Sequence, residues 1–142
     1  MNRITVDRFI AALDALPPIG VEIRPGIFFH RYNDGPSKGT CAMCAMSAVM
    51  FVEKRLTVAE MVRRDSMIMT HIKRDLGLNV DYMDAFIDGF DSPPESMELP
   101  ELRRMVADDS DTSPEERAAI LAGFDDGKAC RLELERRACT PC

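Results

Sequence analysis

The sequence has no apolar segment long enough to cross a membrane. Its longest apolar run, from Cys41 to Val52, covers 12 residues and is interrupted only by Ser47, whereas a spanning helix needs about 20. The first ten residues carry charges and lack the apolar core of a secretory signal. These absences predict a cytoplasmic protein with no membrane partner. Its five cysteines are then expected to be reduced thiols or metal ligands rather than disulfides.

The chain also lacks the excess of positive charge that is typical of proteins that bind nucleic acid. Its net charge is −6, and residues 76–126 contain 14 acidic and 3 basic residues, a net charge of −11. A duplex-binding protein usually presents a basic face instead. Nucleic acid is therefore an unexpected partner, and only the basic stretch 53–75, with a net charge of +2, leaves that function open.

The size and patterning predict one helical domain over residues 1–142, with a peripheral tail from about residue 139. Apolar residues recur at helical spacing from Val6 to Leu16 and again after Thr57, Asn79 and Ser113, which are all good N-caps. Two glycines, Gly123 and Gly127, weaken the prediction of a continuous last helix. The predicted fold class is mostly helical α+β, a compact bundle of five or six helices with one β-hairpin.

The hairpin and the central helix lie next to each other in the sequence. Val21 and Ile23 alternate with polar residues, Pro25-Gly26 indicates a turn, and an apolar run resumes at Ile27. We therefore predict that the strand around Val21–Ile23 pairs directly with the strand that begins at Ile27, as a β-hairpin. The following segment is apolar on all sides, which predicts a buried central helix from Thr40 or Cys41 to about Arg55.

The cysteines form two CxxC pairs, Cys41/Cys44 and Cys139/Cys142. Four thiolates are a preferred ligand set for structural zinc, and CxxC supplies half of such a site. The pairs could instead exchange dithiols and disulfides. The simplest alternative is that Cys41 and Cys44 are small buried hydrophobes, with the other pair in an exposed tail. The cofactor is thus either none or zinc.

A third hypothesis makes Cys41 a nucleophile. The segment Gly-Thr-Cys-Ala-Met-Cys-Ala at residues 39–45 is similar to the cysteine-bearing helix start of papain-like proteases. That resemblance implies a histidine base, for which His30 and His71 are the only candidates. The alternative is that His30 is a strand residue and His71 a helix-surface residue.

A basic helical stretch suggests a different class of function. The segments from Leu56 to Met61 and from His71 to Arg74 resemble the two ends of the helix-turn-helix of bacterial regulators. The resemblance implies that basic side chains in this region contact DNA phosphates; the candidates are Arg63, Arg64, Lys73 and Arg74.

Two further segments, residues 39–45 and Phe86-Ile-Asp-Gly-Phe-Asp91, resemble segments of small uncharacterised bacterial and phage proteins. That resemblance implies an accessory role in such a cell or virus and brings no catalytic residues.

We therefore expect a non-enzymatic accessory or binding protein that acts through protein contacts. An exposed hairpin edge could also pair two copies into a homodimer. The alternatives are a zinc-binding or thiol-dependent module and a DNA-binding regulator.

Overall fold

The fold was analysed in a computed structural model, which describes residues 1–17, 20–93 and 98–139. The described chain divides into two compact units. The sheet unit comprises residues 7–77, and the helical unit comprises residues 1–6 and 78–142. The predicted fold class, mostly helical α+β, is confirmed. No helix in the described ranges is both long and apolar enough to span a bilayer.

Each unit contains a different set of secondary-structure elements. In the sheet unit, helix α1 is followed by three short strands and three helices: α1 Val6–Ala15, β1 Val21–Ile23, β2 Phe29–Arg31, β3 Cys41–Met43, α2 Ala45–Glu53, α3 Val58–Arg64 and α4 Ile68–Leu76. A 3-10 turn, Asp65–Met67, joins α3 to α4. The helical unit contains α5 Val80–Asp91, α6 Glu98–Asp108 and α7 Pro114–Cys139.

The strand pairing differs from the predicted hairpin. Both predicted segments form strands, but they lie on opposite sides of β3 in the order β1-β3-β2. Strand β1 is parallel to β3, with Val21 opposite Cys41; β2 is antiparallel to β3, with Phe29 opposite Met43. The predicted start of the central helix at Thr40 or Cys41 is therefore wrong, because that segment is β3 and α2 begins only at Ala45. A strand buried between two others is apolar on both faces, and over so few residues it looks like a buried helix.

Several helix ends lie where the capping signals predict them. Thr57 and Glu60 form a reciprocal capping box at the start of α3. Gly77 ends α4 with a left-handed φ of 63°, which glycine adopts without steric cost. Asn79 caps α5 through two backbone N–H groups, and Ser113 accepts a hydrogen bond from the Glu116 N–H at the start of α7. The segment Ser92-Pro-Pro-Glu95 also has the sequence of a helix N-cap followed by proline, and it lies partly outside the described residues.

The helical unit depends on close contact between α5 and α7. Three glycines line it, and each lacks room for a Cβ atom. A Cβ at Gly89 would lie 2.6 Å from the carbonyl oxygen of Phe124, a Cβ at Gly123 would overlap the carbonyl oxygen of Tyr82, and one at Gly127 that of Phe86. The glycines that weakened the prediction of a continuous α7 therefore allow two helix backbones to touch. The packing stabilises a helix that propensity alone disfavours.

A buried polar network anchors the first residues of the chain to this helix pair. Arg3 donates two hydrogen bonds of 2.8 Å to the carboxylate of Asp126, which is only 7% exposed. The hydroxyl of Tyr82 donates to Asp126 at 2.6 Å and accepts from the Ile4 N–H at 2.7 Å. Burial, and then the hydrogen bond to Asp126, raises the pKa of Tyr82 far above its ordinary value. The network therefore joins a carboxylate, a guanidinium and a neutral phenol, each with a partner.

We predict that Gly127→Ala destabilises the protein by about 3 kcal/mol, towards the upper end of the cost of overpacking. In an isolated helix the same change stabilises by about 1 kcal/mol, so a destabilisation reports the contact with α5. Chemical denaturation followed by circular dichroism measures it. The matched control is Ala118→Gly at an exposed position of α7, for which a loss of about 1 kcal/mol is expected. A stabilised Gly127→Ala variant would contradict the described packing.

Candidate functional site

A groove at one end of the sheet is the best candidate site in the described chain. It is an open surface groove of about 560 Å³, and residues of the β1–β2 connection, of β2 and of the start of α4 line it. We call it the sheet-end groove. Its lining combines apolar side chains, a glycine turn and four polar side chains: Ile27, Phe28, Phe29, Ile68, Gly26, Arg24, His30, Tyr32 and Asp65.

The turn that shapes this groove follows directly from the sequence. Pro25 and Gly26 form a turn after β1, and Gly26 has a φ of 83°. Proline followed by a glycine of positive φ is typical of a type II turn. The turn changes the chain direction so that Ile27 and Phe28 line the groove before β2 begins.

The polar side chains of the groove form an organised set. Arg24 Nη1 donates a hydrogen bond of 3.1 Å to the hydroxyl oxygen of Tyr32. The rings of His30 and Tyr32 meet edge to face, with centroids 4.8 Å apart. The contact with Tyr32, with Glu22 adding to it, raises the pKa of Arg24 above its ordinary value, so the guanidinium is always charged. Asp65, in the 3-10 turn before α4, adds a carboxylate to the lining.

The backbone of β2 gives the groove a second property. The carbonyl oxygen of Phe28 accepts from the Cys44 N–H at 3.3 Å, and the Tyr32 N–H donates to Thr40 at 2.9 Å. Residues 28, 30 and 32 therefore direct their peptide groups towards β3, because these directions alternate along a strand. The peptide groups of Phe29 and Arg31 point away from β3, at the outer edge of the sheet.

The predicted zinc ligands fall in three different settings. Cys41 lies in β3 and Cys44 is the N-cap of α2, and both are buried free thiols. Cys139 is the last residue of α7, and Cys142 lies outside the described residues. Across the described part of the chain, no three cysteine, histidine, aspartate or glutamate residues are grouped as a metal site. The four-cysteine zinc site stays a prediction, and a protein without cofactor stays its alternative.

The nucleophile hypothesis meets an unfavourable geometry. Cys41 is opposite Arg31 and His30 is opposite Ala42, so the side chains of His30 and Cys41 project from opposite faces of the sheet. The other histidine, His71, lies 2.8 Å from the guanidinium of Arg74. Burial raises the pKa of the Cys41 thiol, whereas a nucleophilic thiolate needs a lowered one.

The predicted DNA-contacting residues lie on α3 and α4. Arg63 and Lys73 are exposed, whereas Arg64 is half-buried and pairs with Asp75. Arg74 also contacts Asp75, at 3.1 Å. Two of the four cations thus interact with one carboxylate within the protein, and DNA binding through this set stays a prediction.

Sequence reasoning missed Arg24, Tyr32 and Asp65 as site residues. The signal that could have found the groove is the mixed run Phe28-Phe29-His30-Arg31-Tyr32, because aromatic residues and arginine are enriched where proteins bind partners. Asp65 carries no comparable signal, since only the turn between α3 and α4 brings it to the groove.

The sequence matches no protein-family model and no curated protein, and the fold matches no solved structure. The candidate site therefore depends on its own geometry.

We predict that the thiols of Cys41, Cys44 and Cys130 react slowly with a disulfide reagent in the native protein and fully after denaturation. All three are buried, and burial raises the pKa of both Cys41 and Cys130. The measurement uses a variant with Cys139→Ser and Cys142→Ser, so that the tail contributes no signal. One fast thiol in the native variant, lost on Cys41→Ser, would instead revive the nucleophile hypothesis.

Proposed function

We propose that this chain is a non-enzymatic binding protein and that it contacts a partner protein through the sheet-end groove. The single observation that carries the proposal is the composition of that groove. Four apolar side chains lie beside one guanidinium, one imidazole, one phenol and one carboxylate. Ligand and partner sites in proteins typically combine an apolar lining with a few placed polar groups.

The nature of the polar groups supports a binding role more than a catalytic one. Arg24 is bonded to Tyr32, and His30 contacts the same ring, so these side chains form an ordered recognition surface. The buried cysteines, with the pKa of Cys41 raised, do not supply the groove with an activated nucleophile. Tyrosine and arginine are also among the residues that contribute most to binding energy at protein interfaces.

A photo-cross-linking experiment tests this function. A benzophenone amino acid replaces His30, at the edge of the groove, in cells that produce the protein. We expect one discrete protein adduct that disappears when Ile27→Asp places a charge in the groove. The matched control carries the same photoreactive residue at Met105, which is 60% exposed in the helical unit.

Two results would overturn the proposal. One is an absence of any adduct at His30 beyond those formed at Met105. The other is an adduct that persists unchanged in an Ile27→Asp variant whose thermal unfolding shows that it is folded.

A further inference from the structure

We propose that α6 is a lid, which opens while α5 and α7 stay packed together and thereby exposes apolar residues of these two helices. Leu102 and Val106 of α6 pack on those residues. We call the set that they cover the covered patch: Ala85, Ile120, Leu121 and Phe124. The lid belongs to the helical unit alone and is independent of the sheet-end groove and of the function proposed for it.

The attachment of α6 to α7 is slight. Of the α6 side chains that the structure describes, from residue 100 to residue 108, none is buried, and three are half-buried: Leu102, Arg103 and Val106. The polar attachment is an ion pair of Arg103 with Asp125, whose side chains are 40% and 59% exposed. The same guanidinium donates a hydrogen bond of 3.5 Å to a backbone carbonyl oxygen of α7. Exposed ion pairs stabilise little, so these contacts hold α6 only weakly.

The α5–α7 pair has a core of its own. The glycine contacts bring the two backbones together, and Phe86 and Phe90 of α5 are buried. The carboxylate of Asp126 in α7 accepts hydrogen bonds from Tyr82 of α5 and from Arg3. All of these groups lie outside α6, so they keep α5 and α7 packed when α6 moves away.

The turn between α6 and α7 supplies a pivot. The carboxylate of Asp109 accepts a hydrogen bond of 2.9 Å from the Asp111 N–H and one of 2.8 Å from the Thr112 hydroxyl. Arg117, in the first turn of α7, donates to the carbonyl oxygens of Asp109 and Thr112 at 2.9 and 3.3 Å. These bonds order the turn and fasten it to α7. The end of α6 next to the turn therefore stays in place while the rest of the helix leaves the covered patch.

Native-state hydrogen exchange, measured by NMR at low urea concentrations, tests the lid in the unmodified protein. A free helix of 11 residues is marginal in water, so α6 loses its helical hydrogen bonds when it opens. After correction for intrinsic rates, we expect amides 104–108 to exchange at least about a hundredfold faster than the central amides of α7. Their rates should change little with urea, because opening exposes little surface, whereas the amide of Asp126 should follow global unfolding.

Two neighbouring arginines provide a matched pair of variants. Arg103→Ala removes the contacts with α7 and should accelerate exchange in α6 about threefold. Arg104→Ala makes the same change of helix propensity at a side chain that is 72% exposed, and it should leave the rates almost unchanged. Leu102→Asp should hold the lid open, so that the dye anilinonaphthalene sulfonate binds the covered patch while the amide of Asp126 stays protected.

Four results would overturn the lid. Equal opening free energies in α6 and α7 would show that α6 unfolds only with the whole unit. Equal acceleration by Arg103→Ala and Arg104→Ala would show that the helix frays without any role for its contact with α7. Loss of protection at Asp126 in Leu102→Asp would make α6 a part of the α5–α7 core. Dye binding no stronger than that of the unmodified protein would show that the patch stays covered.

Discussion

The burial of β3 is the constraint on which the sheet unit depends. Every residue from Cys41 to Met50 is buried, and the first three of them are extended. A buried strand must find partners for its N–H and C=O groups on both sides. Strands β1 and β2 supply them, and for this reason β2 has one paired edge and one outer edge. The candidate site is thus a consequence of how the core is covered.

A different constraint shapes the helical unit. Helices α5 and α7 touch through Gly89, Gly123 and Gly127, and the buried carboxylate of Asp126 is placed by that contact close to Tyr82. The carboxylate requires a charged partner, because an unpaired buried charge is costly. Arg3 provides it, and its neighbour Ile4 is fully buried. Tight backbone packing and one ion pair therefore anchor the first residues of the chain in this unit.

The sequence predicted those features that depend on local chemistry. The caps at Thr57 and Asn79 are side-chain hydrogen bonds within a few residues, and the fold class follows from helical periodicity. The pairing of the strands was not predictable in this way, because nothing local distinguishes β3 from the first turn of a buried helix. The glycines of α7 misled for a related reason, since a glycine that permits close packing and one that breaks a helix look the same without the partner helix.

The candidate site likewise depends on features that the local sequence does not reveal. Cysteine spacing directed attention to thiols, yet the described thiols are buried within the core. The groove instead collects residues from a turn, a strand and a second turn, and only the folded chain brings Asp65 and Tyr32 to the same groove. Its aromatic and basic side chains come from a run that is ordinary in sequence terms.

Amide hydrogen exchange along β2, measured residue by residue by NMR, tests this account most directly. If β2 is paired on one side only, the amide of His30, which faces β3, exchanges slowly, while the amides of Phe29 and Arg31 exchange much faster. Equal protection of all three amides would contradict the account, because the outer edge of β2 would then also be paired.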